Sequence, residues 1–188
     1  MNSKKKYLIL GAVALLLVCC VSSGLFLLYI NAATEKMDAA KAACRRQPVP
    51  GTPRRIPHTM QPVAAFGAAS DGDWMYYGAE LPVAWPHAEA ATDPAVVFCF
   101  EEEESETLET CRYETGSTYA RVLLKRRVRA MEASTGIVIS EKFVSGTPPE
   151  PCPDSITHSR SSGPARDEGE GDSPDADDIE REFGELFR

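Results

Sequence analysis

Four cysteines, Cys44, Cys99, Cys111 and Cys152, are the side chains of this 188-residue chain best placed to do covalent chemistry. Thiols so spread either pair as disulfides or hold a metal. Zinc sites usually rest on short C-x₂₋₄-C spacings joined by histidines, and that spacing is missing. An even count in an extracytoplasmic chain reads as two disulfides. The histidines His58, His87 and His158 each stand beside Pro, Ser or Thr and read as loop residues rather than ligands. The carboxylates of Glu101–Glu104 could gather calcium, but the Asp/Asn/Gly alternation of a calcium loop is absent. They read as a solvated strand end balanced by Lys125, Arg126 and Arg127. Trp74, Tyr76, Tyr77 and Trp85 have the flat surfaces to line a sugar or peptide groove, or equally to start a core. No nucleophile elbow, phosphate loop or two-metal carboxylate pattern is present. The sequence therefore predicts no catalytic residue, no cofactor and no metal.

The element that must set the compartment for this chemistry is residues 7–30, YLILGAVALLLVCCVSSGLFLLYI, an uncharged run directly after Lys4-Lys5-Lys6. As a helix it would measure roughly 36 Å, enough for a hydrocarbon core of about 30 Å. Three lysines in the first six residues favour a cytoplasmic N-terminus and an outer C-terminal part. Two processing routes compete. A cleaved signal peptide has a shorter core and a better site than Asn31-Ala32-Ala33. A lipoprotein would carry lipid on Cys19, where Val18 replaces the small residue normally wanted. The organisation that follows is residues 1–6 inside, a transmembrane helix over 7–30 and a juxtamembrane helix over 31–46, rich in helix formers. A proline-rich linker over 47–62 comes next.

Residues 63–153 read as the folded outer domain: an α+β architecture with a small, mainly antiparallel sheet and a short C-terminal helix. Strands are expected at 95–103, 107–115, 118–133 and 137–145, with Gly136 supplying a positive φ in a hairpin loop. A loop centred on Ser105 would set Cys99 opposite Cys111, leaving Cys44 for Cys152. The exit around Cys152 carries Pro148, Pro149, Pro151 and Pro153 and is stiff. Residues 154–172 read as a disordered acidic stretch. Residues 173–188 read as an amphipathic helix with Ser173 as its N-cap, docking Ile179, Phe183, Leu186 and Phe187 on the sheet or on a partner.

Charge narrows the partners. The net charge is −8, and residues 161–188 hold ten acids against three bases. The basic cluster Lys125-Arg126-Arg127-Arg129 has no aromatic interleaving, so nucleic acid is excluded as an expected partner. The expected partners are a lipid bilayer and a protein or an envelope polymer.

Trp74 and the segments Leu81-Pro82 with Trp85, Val96-Val97-Phe98-Cys99, Glu109-Thr110-Cys111, Glu132-Ala133-Ser134-Thr135-Gly136 and Gly146-Thr147-Pro148-Pro149 with Pro151-Cys152-Pro153 carry a resemblance. They resemble a group of uncharacterised extracytoplasmic, membrane-anchored bacterial proteins with a Cys-containing hairpin and a proline-rich exit. Ile137 departs from that pattern, which has an acid there. The resemblance implies a folded, disulfide-bearing outer domain and no activity. The expected function is a membrane-anchored, non-enzymatic binding or structural module of the cell envelope. The alternatives are an accessory subunit of a membrane complex and an envelope hydrolase.

Overall fold

The computed structural model describes residues 35–57, 59–88, 93–155 and 166–188. The span expected at 7–30, Cys19, His58 and His158 lie outside the described residues. No helix among the described residues is long and apolar enough to cross a membrane.

The core is one six-stranded sheet. A helix over residues 35–44, α1, precedes it. The strands are β1 (Val63–Ala68), β2 (Trp74–Tyr76), β3 (Val96–Arg112), β4 (Thr118–Glu132), β5 (Ile137–Ser145) and β6 (Arg166–Glu170). The helix α2 (Ala176–Phe183) and a 3₁₀ turn (Gly184–Phe187) close the chain. The order is β2-β1-β3-β4-β5, with β6 also on β4. The expectation of a mainly antiparallel α+β sheet is corrected here: the domain is mainly β, and its sheet is mixed. β1 runs parallel to β3 from Val63↔Val96 to Gly67↔Phe100, and β6 runs parallel to β4 from Thr118↔Arg166 to Val122↔Glu170.

The apolar run Val96–Phe100 explains the parallel pair. Parallel strands are covered on both faces and so lose the apolar–polar alternation. On one face Val63, Ala65, Val96, Phe98, Phe100, Val128, Ala130 and Val144 pack under Ile179, Phe183 and Phe187, with Leu81 and Trp85 beside them. On the other, Ala64, Phe66, Val97, Cys99 and Met131 pack under Ala40, Ala43 and Cys44 of α1 and under Val49 and Trp74. The result is helix, sheet, helix in three layers. Phe98 meets Phe183 edge-on at 5.4 Å and Trp85 at 5.2 Å.

The two strands expected at 95–103 and 107–115 are one strand. β3 passes straight through the glutamate run, and no turn opens at Ser105. Two bulges in β3, between Phe100 and Glu103 and between Thr107 and Glu109, bend the ribbon while its pairing to β4 continues to Arg112↔Thr118. Its turn instead falls at 113–117, where Gly116 has φ +79°. The β4–β5 loop is as expected, with Gly136 at φ +68°. A Cβ there would also come 2.7 Å from the Gln47 carbonyl carbon, so the glycine serves both the turn and the close passage of residue 47.

Residues 47–57 and 59–62 contain neither helix nor strand. They are not a free spacer. Val49 is buried and donates its N–H to the Ala133 carbonyl, and the Arg55 N–H bonds Glu132 Oε1. Within the stretch expected to be disordered, residues 166–170 form β6. The α2 cap is Asp175 rather than Ser173. The Asp175 carboxylate accepts from the N–H groups of Asp177 and Asp178, and Asp178 returns a bond to the Asp175 N–H. Of the two docking partners expected for this helix, the sheet is the one observed.

Candidate functional site

The fork where β1 leaves β3 is built by sequence-local events. β1 ends at Ala68, and residues 69–73 turn back into β2 with Gly72 at φ +82°. Asp71 Oδ1 accepts the Asp73 N–H, the usual way an aspartate holds such a turn. β3 does not stop there. From Glu101 to Arg112 its edge on the β1 side has no strand partner among the described residues.

Two adjoining clefts fill the fork. One, about 430 Å³, is lined by Gly67, Met75, Tyr77, Phe100, Arg126 and the start of the glutamate run. The other, about 460 Å³, lies between Ala68–Ser70 with Gly72 and the full run Glu101–Glu104. The bulge leaves both Glu101 and Glu102 opposite Arg127. The Arg126 guanidinium sits 5.5 Å from the Tyr77 ring centre, and its Nε has no hydrogen-bond acceptor among the described residues.

The balance of charge expected along this sheet is present. Glu101 meets Arg129 at 3.1 Å and Arg127 at 3.6 Å, and Glu103 meets Arg126 at 3.6 Å. Glu106 meets Lys125 at 2.8 Å, and Glu109 meets Arg121 at 3.0 Å. The hydrogen bond that Lys125 donates to Glu106 raises the Lys125 pKa, with the charges of Glu106 and Glu104 adding to it. At the turn, the hydrogen bond from the Trp74 backbone lowers the Asp73 pKa, helped by Lys41 and Arg45; the Arg45 guanidinium is 2.8 Å away.

The cysteines pair, but not as the hairpin arithmetic expects. The bridges are Cys44–Cys99 and Cys111–Cys152, with Cα separations of 5.5 and 6.2 Å. Cys99 and Cys111 lie twelve positions apart on one strand, roughly 40 Å at about 3.3 Å per residue, and cannot meet. The missed signal was the absence of any Gly, Pro, Asn or Asp near Ser105 to make the turn. Cys44–Cys99 is buried under α1. Cys111–Cys152 is half exposed near the tip of the ribbon, where residues 147–153 form a strap. Arg121 holds that strap by donating to the carbonyls of Pro149 (2.8 Å) and Glu150 (2.9 Å), and Tyr113 Oη donates to Pro153 O at 2.7 Å. Ligand atoms of Glu109, Cys111 and Cys152 fall within 4.8 Å of one another. The two sulfurs are bonded together, so as long as the bridge stands the trio offers a metal only a carboxylate that Arg121 already holds.

The aromatic group is divided by the sheet. Trp85 is buried on the α2 face, 4.6 Å from the Phe187 ring, and Trp74 is buried on the α1 face. They do not share a groove. Tyr77 is half-buried and lines the fork, and Tyr76 stays exposed beyond it. His87 uses its Nε2 on the Pro82 carbonyl at 3.0 Å.

The fold and fork define a mixed-sheet domain with a helix on each face and an open strand edge. No family model matches the chain, and no curated protein or solved structure matches it.

Proposed function

We propose that this chain is a non-enzymatic binding or structural module of the cell envelope, held at a lipid bilayer by the apolar run at residues 7–30, with the folded head on the outer side. The observation that carries the reading is the pair of bridges, Cys44–Cys99 and Cys111–Cys152. Disulfides persist where the surroundings are oxidising and are rare in a reducing cytosol. The charge-free run after three lysines supports the anchor.

The test is made on cells of the native host. A membrane-impermeant maleimide is applied before and after a reductant, and the membrane and soluble fractions are separated. The expected result is recovery with membranes, digestion of the head by protease added outside, labelling of Cys111 and Cys152 only after reduction, and labelling of Cys44 and Cys99 only after reduction in denaturant. Recovery in the soluble fraction, or four free thiols in untreated cells, overturns the reading.

A further inference from the structure

We propose that the open edge of β3 at Glu101–Glu104 is a docking strip for an extended segment of a protein partner that carries lysine or arginine, entering the sheet where β1 leaves it. This deepens the reading of the head as a binding module and rests on it.

Three observations converge on the strip. β1 pairs with β3 only as far as Phe100, and the β3 backbone continues in strand conformation with nothing bonded to that edge among the described residues. An edge of this kind is a template for another strand, with main-chain bonds giving affinity and side-chain pockets giving selectivity. The two clefts of about 430 and 460 Å³ lie in the fork between the β1–β2 turn and Glu101–Glu104, where β1 would continue if it did not turn away. Their lining is mixed: Tyr77, Phe100 and Met75 offer apolar surface on one side, and carboxylates line the other.

Charge selects the occupant. Glu102 and Glu104 are exposed and line the second cleft, whose wall has no basic residue among the described residues. Arg126 in the wall of the first cleft is already drawn to Glu103 at 3.6 Å. A second copy of this chain fits poorly. Edge-to-edge pairing there would bring Glu101–Glu104 of two copies together, and like charges facing each other across a strand pair are destabilising. A free metal ion would leave the unpaired β3 backbone unused. An extended basic segment uses the backbone, the carboxylates and the apolar wall at once.

The probe is the peptide acetyl-Lys-Val-Lys-Val-Lys-Val-Lys amide, with its Glu-for-Lys counterpart as control, added to the full chain in neutral detergent micelles. Hydrogen exchange read by mass spectrometry should slow across 101–104 with the lysine peptide and not with the glutamate peptide. The pair Glu102→Lys and Glu104→Lys should weaken binding at least tenfold, and Glu102→Gln with Glu104→Gln covers the event that charge reversal disturbs folding. Unchanged exchange at 101–104, or slowing confined to the acidic residues 166–188, overturns the proposal. Either failure leaves the anchoring and disulfide reading intact, because fractionation and thiol labelling test that separately.

Discussion

Single side chains decide how the surface charges contribute to stability. Lys125 has its pKa raised by Glu106, so its contribution is complete below the ordinary lysine value and is lost as pH climbs through the raised one. Asp73 works in the opposite sense. Its pKa is lowered by the Trp74 backbone N–H, so its contribution is present above the ordinary aspartate value and is lost as pH falls through the depressed one. Urea unfolding of Lys125→Met should therefore differ from the parent at neutral pH and converge with it in strong alkali. Asp73→Asn should converge with the parent in strong acid. Asp73 is exposed and Lys125 is paired with an exposed Glu106 at the surface, so the differences are small. Asp175 is a stronger lever. Its carboxylate satisfies two N–H groups at the start of α2, and Asp175→Ala should cost about 1 kcal/mol by the same measurement.

At the scale of elements, the two bridges should part under reduction. Cys44 and Cys99 are almost fully buried between α1 and the sheet, while Cys111 and Cys152 lie near the solvent-facing tip. Attack by a thiolate needs access. In a dithiothreitol titration under native conditions, alkylation and peptide mapping should find Cys111 and Cys152 labelled first. Labelling of Cys44 and Cys99 should wait for unfolding. Each bridge closes a loop of 55 or 41 residues, which the chain-entropy model puts at about 4 kcal/mol apiece. How far these elements could be read from the chain follows from the strength of the local signal. β4 and β5 alternate over many residues and are joined by a glycine that needs positive φ, so both were legible. β3 reads as two strands because a run of glutamates looks like a solvated strand end, with a loop to follow at Ser105. In the structure the arginines and lysine of β4 hold those glutamates in a ribbon, and only pairing across strands reveals that. The parallel placement of β1 was hidden for a similar reason. Among the described residues its link to β3 uses a short strand, a 3₁₀ turn at Gly78–Glu80 and irregular chain, with no crossover α-helix to announce it. The candidate fork was legible only as an acidic run. Its openness depends on where β1 turns away, which is a property of the assembled sheet.

At the scale of the whole molecule, the C-terminal segment is part of the core. Ile179, Phe183 and Phe187 cover the face that includes Phe98 and Val128. Phe183→Ala should cost about 3–5 kcal/mol. Ending the chain at Asp172 should leave that face bare and turn the head into an aggregating, dye-binding species, checked by light scattering and by fluorescence of a hydrophobic probe. A monomeric head with unchanged thermal midpoint after that truncation would show that the helix is dispensable. The acidic residues around it keep this covering element soluble while its apolar side is buried.

The Cys44–Cys99 bond also settles how the molecule carries mechanical load. A tug on the chain ahead of α1 does not have to straighten the proline-bearing residues 47–62 before the sheet feels it. It reaches the middle strand through one covalent link, 55 positions further along the sequence. Arg129, which donates to the Cys44 carbonyl from the neighbouring strand, braces the same joint. The sheet is therefore bolted to α1 like a rigid bracket rather than hung on a string, and the direction in which its long ribbon points follows that of α1.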